Sequence, residues 1–134
     1  NIEEKCHGSY KQKAYCQSLS VSTRCQKLAL ENNLNIELAA IMGLFHDYAQ
    51  FIYHSSFDHA KRSSEMIVPL LNDFNNNERQ TIIQAIAHHS DKKRIDDQYS
   101  EILKDADVLA QYFAEPDIIL KDDSQKRLNQ YIAR

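Results

Sequence analysis

Apolar residues recur along this chain at helical spacing. Val21, Cys25 and Leu28 fall at i, i+4 and i+7, one face of a helix predicted from about Tyr10 to Asn32. Asn32, Asn33 and Asn35 interrupt that pattern. Asn35 can cap a second helix, Ile36 to about Phe51, with Leu38, Ile41, Met42 and Phe45 on its buried face. Ile52 to Phe57 reads as a loop. Asp58 can cap a third helix carrying Met66, Ile67, Leu70 and Leu71, and Pro69 predicts a kink or break within it. Asn75, Asn76 and Asn77 signal a turn. A fourth helix, Glu78 to about His89, carries Ile82, Ile83 and Ile86. Ser90 to Gln98 is polar and reads as an exposed loop. A fifth helix runs from about Tyr99 to Phe113, with Ile102, Leu103, Ala106, Leu109, Ala110 and Phe113 facing inward, and Pro116 stops it. A last helix, roughly Ser124 to Ala133, carries Leu128, Tyr131 and Ile132. With no repeat and no long linker, residues 1–134 are expected to form one all-α domain, a compact bundle of five to six or more helices.

Composition narrows the chemistry. The chain has only 2 Gly and 2 Pro in 134 residues, too few for turn-rich sandwiches or propellers. Gly8 and Gly43 sit in no GxGxxG, GxxxxGK[ST] or GxSxG pattern, so dinucleotide fingerprints, P-loops and hydrolase elbows are excluded. A net charge of -3 argues against nucleic acid as a partner held by bulk electrostatics. The longest apolar run, Leu38 to Phe45, falls far short of the ~20 residues of a membrane span. Cys6, Cys16 and Cys25 form no CxxC and leave one over, which favours reduced thiols and a cytoplasmic setting. The first residue is Asn1, so a natural start upstream is expected, and no signal-peptide pattern opens the stretch.

Histidine and aspartate fall at unusual places. His46 and Asp47 end an otherwise apolar helix, His88 and His89 end another, Asp105 and Asp107 interrupt the apolar face of a third, and His59 opens a fourth. Any one of these alone reads as a hydrogen-bonded core residue. Burying such groups requires partners, and a divalent cation would serve all of them together. Imidazole and carboxylate ligands suit Mn, Fe, Co, Ni, Zn or Mg without choosing among them. His7 and His54 lack this context and read as surface residues.

The runs Gly43-Leu44-Phe45-His46-Asp47-Tyr48-Ala49-Gln50, Asp58-His59-Ala60, Ala85-Ile86-Ala87-His88-His89-Ser90 and Lys104-Asp105-Ala106-Asp107-Val108-Leu109 occur in that order. Together they resemble the HD-domain superfamily of metal-dependent phosphohydrolases, over roughly Gln17 to Phe113. The resemblance implies an all-α bundle in which His46, Asp47 and Asp107 ligate a divalent metal. It also implies that His59 and His89, and less directly His88, serve a second ion or the reaction. The family usually carries an earlier histidine in a pattern like His-Ser-x-x-Val-Ala. Here the matching run is Gln17-Ser18-Leu19-Ser20-Val21-Ser22, with Gln17 in the place of the ligand. A glutamine amide is the weaker ligand for a transition metal.

The expected activity is therefore hydrolysis of a phosphate ester or anhydride by metal-activated water, with Asp47, His59 and His89 as catalytic groups. Lys92, Lys93 and Arg94 follow the His88-His89 pair, and Lys61 and Arg62 follow His59. With His88, these are the candidates to bind the phosphate of a small substrate, with a nucleotide as the expected class. His59 and His89 are expected near the mouth of the cavity. The alternative is a degenerate domain that binds a nucleotide or partner without catalysis, which the Gln17 departure favours.

Overall fold

A computed structural model describes residues 8–53 and 57–133, with side chains from Lys11 onward. Cys6, His7, His54 and the loop residues Ser55 and Ser56 lie outside the described residues. Among those described there are seven α-helices and no strand. They are α1 (Gly8–Glu31), α2 (Ile36–Phe45), α3 (Tyr48–Tyr53), α4 (His59–Met66), α5 (Asn76–His88), α6 (Gln98–Ala114) and α7 (Asp122–Ile132). A short 3-10 helix, Val68–Leu70, joins α4 to α5. The all-α architecture follows the apolar periodicity. No helix among the described residues is long and apolar enough to cross a membrane.

The asparagine cluster ends one helix and starts the next. Asn33 adopts the left-handed conformation (φ 57°), which asparagine tolerates better than most residues. The Leu34 N–H reaches back to the Ala29 carbonyl at 2.8 Å. Asn35 Oδ1 then accepts from the Leu38 N–H at 3.1 Å and caps α2. α2 lies tightly on α1. A Cβ at Gly43 would stand 2.7 Å from Ser22 Cα, so only glycine permits this approach. Ser22 Oγ donates to the Ala40 carbonyl at 2.8 Å across the same seam.

The helix predicted over Ile36 to Phe51 is two helices, broken at His46 and Asp47. The His46 ring takes up the Gly43 carbonyl at 2.7 Å. The Ala49 N–H donates to Ser63 Oγ of α4 at 2.9 Å instead of to a carbonyl one turn back. Competing partners thus replace the helical ladder at this point. The predicted loop over 52–57 consequently begins later, since α3 runs to Tyr53.

Other boundaries also depart from expectation. Asp58 makes no side-chain cap bond; it sits left-handed (φ 47°) and turns the chain into α4. That helix ends at Met66, because Pro69 has no N–H to donate to the carbonyl four residues back, and the chain tightens into the 3-10 turn Val68–Leu70. Ile67 and Leu71 are buried beyond its end, whereas Leu70 is exposed. Asn75 and Glu78 form a reciprocal capping box, which starts α5 two residues before the predicted Glu78. Asp97 caps α6 by accepting from the Ser100 N–H at 3.2 Å. Phe113, expected inward, is exposed, as is Ile132 on the last helix. The Arg24 guanidinium lies 4.6 Å from the centre of the Phe113 ring, an arrangement that needs no burial.

The core is built from the inner faces of α1, α2, α5 and α6, with Val21, Leu28, Met42, Ile82, Ile86 and Leu103 all fully or almost fully buried. α6 packs on α1, α2, α5 and α7, and α4 packs on α3 and α5. The interrupted end of α2, the start of α4, the end of α5 and the middle of α6 therefore meet at one place. Cys16 is exposed, Cys25 is buried, and both are free thiols.

Candidate metal centre

His46 stands at the end of α2 and is completely buried. Its Nδ1 donates to the Gly43 carbonyl, which fixes the ring and aims Nε2 inward. His89, at the end of α5, repeats this device: it is completely buried, and Nδ1 donates to the Ile86 carbonyl at 2.7 Å. Asp107 projects from the inner face of α6, and Asp47 occupies the break after His46. His46 Nε2 lies 3.3 Å from Asp47 Oδ2 and 3.4 Å from Asp107 Oδ1. Asp47 Oδ1 faces His89 Nε2 at 3.0 Å and His59 Nε2 at 3.2 Å. His59 is the first residue of α4, with 21% of its side chain exposed.

The donor inventory fits a cation. Both buried rings commit their Nδ1 hydrogens to carbonyls, so in neutral rings the Nε2 lone pairs face carboxylate oxygens, and acceptors crowd one point. His46 Nε2 and Asp107 Oδ1 are buried without a hydrogen-bond partner among the described residues. His46, His89 and Asp107 offer ligand atoms within 4.8 Å of one another, and Asp47, His59 and His89 do the same. Those are two adjacent ligand groups that share His89, with Asp47 turned to both. A divalent ion would satisfy the orphaned atoms and offset the charges of both carboxylates.

The same geometry sets the proton affinities of the metal-free site. Burial pulls His46 down, but the charges and contacts of Asp47 and Asp107 outweigh it and raise the imidazole to about 10. Burial lowers His89, which keeps its ring neutral and its Nε2 lone pair available. Burial opposes ionisation of Asp47, yet His46, His59 and His89 around it hold the carboxyl well below its ordinary value. Asp107 is held low in the same way, against its burial, chiefly by Lys92 and His46.

The site opens into a cleft of about 1220 Å³ lined by Gln17, Asp47, His59, Lys92 and Asp107, and also by Lys13, Phe113, Ile119 and Lys121. Gln17, half-buried on α1, is brought to the cleft beside the two carboxylates. Lys92 is brought there too: Nζ donates to Asp107 Oδ2 at 2.9 Å and to the His89 carbonyl at 2.6 Å.

Other predicted residues stand elsewhere. His89 is not near the mouth; it is sealed in the cluster. His88 turns to the start of α6, with Nδ1 3.3 Å from Ser100 Oγ and 3.8 Å from Asp96 Oδ1, because adjacent helical residues point about 100° apart. Lys61 and Arg62 do not line the cleft. The Arg62 guanidinium lies 4.4 Å from the centre of the Tyr53 ring and donates to the Phe57 carbonyl at 3.4 Å. Lys93 is exposed, and Arg94 pairs with Asp96 at 3.1 Å, its side chain 72% exposed. Neither reaches the cleft.

Lys13, Lys121 and the fixing groups Gly43 and Ser63 were not legible as site residues. Nor were Lys104 and Arg127, two buried cations that grip the segment after His89. Helical spacing offered one signal: Lys104 lies three residues before Asp107, on the same inward face. Arg127 had no such mark.

The HD-domain family model matches residues 15–112, which span most of α1 through most of α6. The fold is similar to the crystal structure of a predicted HD superfamily hydrolase from an uncultured Thermotogales bacterium, solved at 1.45 Å. The TM-score is 0.67 with 20% sequence identity, covering 99% of this chain and 82% of that one. At that identity the likeness speaks for the fold. Comparison with curated proteins finds no match.

Proposed function

The chain belongs to the HD-domain family, and on that premise we propose that it is a metal-dependent hydrolase of a small phosphate ester or anhydride, with a nucleotide as the favoured substrate. The observation that carries this reading is the buried group His46, His89 and Asp107, whose ligand atoms lie within 4.8 Å of one another and of which His46 Nε2 and Asp107 Oδ1 have no hydrogen-bond partner among the described residues. His46, His89, Asp107 and Asp47 would hold the divalent ion. When bound, such an ion polarises a phosphoryl oxygen and acidifies a coordinated water. The chain's own groups supply the rest. The carbonyls of Gly43 and Ile86 hold the two imidazoles in fixed tautomers. His59 lies beside Asp47 at the partly open edge, where it can take or give a proton. Lys92 uses two of its three N–H donors on Asp107 and the His89 carbonyl, and the third is available to a phosphate oxygen in the cleft. Lys13 and Lys121 line the same cleft, together with Asp91, Glu115 and Asp123.

One observation favours the alternative of a degenerate, binding-only domain: Gln17 lines the cleft where an imidazole ligand is usual for this family. Metal analysis together with hydrolysis of a chromogenic phosphate ester and a panel of nucleoside phosphates, with added Mn or Ni, separates the readings. Turnover that depends on added metal supports the hydrolase. Stoichiometric metal with no turnover on any member of the panel gives the binding-only domain.

A further inference from the structure

We infer that Arg127, on α7, is a positioning residue of the phosphate site, holding the segment after His89 so that Lys92 presents its amine to Asp107 and the cleft. This rests on the phosphohydrolase reading for its role in turnover, but its geometry stands independently. Residues 91–97 form no regular secondary structure, so their carbonyls have no ladder partners and take donors from outside the segment. Arg127 supplies them. Nε donates to the Lys92 carbonyl at 2.8 Å and Nη2 to the Arg94 carbonyl at 3.2 Å. Nη1 is held at 3.0 Å by Asp105 and at 3.0 Å by Glu101, both on α6. The guanidinium thus ties the backbone of Lys92 to the helix that carries Asp107. Lys104, fully buried, completes the clasp: Nζ donates to the Arg94 carbonyl at 2.7 Å and to Asp96 Oδ2 at 2.6 Å.

The consequence reaches the centre through one residue. Lys92 is fastened by Arg127 at its carbonyl and by Asp107 at its amine, with only 11% of its side chain exposed. By engaging Asp107 Oδ2, the amine leaves Oδ1 facing His46. Without Arg127 the Lys92 backbone would lose its anchor, and the amine its fixed place beside the candidate ligand. A guanidinium is suited to this because its planar fork spreads five donors over two carbonyls and two carboxylates, where an ammonium has three donors on one atom. Arg127 lies beyond the residues matched by the family model, so this assigns α7 a part in the site that the family match does not reach.

The test compares Arg127→Met and Arg127→Lys with the natural protein. Acetic anhydride labelling of the metal-free proteins, read by peptide mass spectrometry, reports how accessible the Lys92 amine is. Both variants should label faster at Lys92, with Lys61 as an unchanged exposed control. Turnover of the chromogenic ester should fall by about tenfold or more in Arg127→Met, the range of outer-sphere losses at metal sites. In a Lys92→Met background the same change should cost little further, because both act through one group. Should Arg127→Met fail to fold, Arg127→Lys carries the labelling test. Unchanged Lys92 labelling in the folded variants, or fully additive losses of turnover, overturns the inference. Faster labelling in a protein that hydrolyses nothing sustains the positioning role and sinks the phosphohydrolase reading alone.

Discussion

His46 Nε2 and Asp107 Oδ1 face each other 3.4 Å apart, both buried, and neither has a hydrogen-bond partner among the described residues. They come from helices far apart in sequence, and their meeting at one point is what makes the cluster a ligand set. Asp47 completes it from the break after α2. Asp47→Ala should therefore lower metal affinity and metal-dependent turnover by at least about 100-fold, since even outer-sphere changes cost 10–100-fold. Circular dichroism should show the helices retained. Isothermal titration with Mn checks the first half, and full metal content in the variant refutes the ligand role.

The adjacent pair His88-His89 offers a contrast within one helix end. His89 is sealed in the cluster, while His88 faces Ser100 and Asp96, with 38% of its side chain exposed. His89→Ala should reduce metal binding about tenfold or more. His88→Ala should leave it within error. Side-by-side titrations decide, and equal losses would mean that the two rings are misassigned.

The metal-free protein should show a stability that depends on pH in a definite direction. His46 is raised from 6.5 to about 10 in the folded state. A raised group contributes stability that is fully present below its unfolded value and is lost as pH rises through the folded one. Thermal melts of the metal-free protein should thus fall progressively between about pH 6.5 and 10. Metal binding competes with the proton on His46, so affinity should rise over the same window. A flat melting profile there, with His46→Gln behaving like the natural protein, would contradict the assignment.

Gly43 carries two burdens, the close approach of α2 to α1 and the carbonyl that orients His46. Gly43→Ala sets a Cβ against the Ser22 backbone, which cannot yield as a flexible side chain would. The expected loss is about 1–3 kcal/mol of stability, in the range of overpacked cores. Metal affinity should weaken as well, because the His46 ring follows its carbonyl. Urea unfolding and Mn titration measure the two separately.

How far the sequence revealed this site depends on the range of the forces involved. The helices were legible from Val21, Cys25, Leu28 and their counterparts because one buried face repeats with the helical period. The caps at Asn35, Asn75 and Asp97 are local chemistry, although only the first was anticipated. The break at His46 was hidden, because it depends on Ser63 from another helix taking the Ala49 N–H. The placement of the basic residues was hidden for the same reason. Lys61, Arg62, Lys93 and Arg94 are close to His59 or His89 in sequence but do not line the cleft, with Arg62 on the Tyr53 ring and Arg94 paired with Asp96. Lys13 and Lys121 are remote in sequence and reach the cleft only through packing.

The departure at Gln17 supplies the last prediction. Gln17 precedes Val21 by one helical turn, so the inward face of α1 carries it toward the cluster. The structure places it in the cleft wall with Asp47 and Asp107, half-buried and open to the cavity. An imidazole at this position is comparable in size and replaces an amide, a poor ligand for a transition metal, with a good one. The side chain borders open cleft, so the change should not strain the core. Gln17→His should therefore bind Mn, Ni or Fe at least about tenfold more tightly, by the scale of outer-sphere effects at such sites. It should also hydrolyse phosphate esters faster wherever metal occupancy limits the natural protein. The experiment is metal titration and turnover of the two proteins side by side at subsaturating metal. Equal affinities would show that residue 17 does not reach the ion, and the position of the usual histidine would then have to be filled from elsewhere, with His7 the candidate upstream.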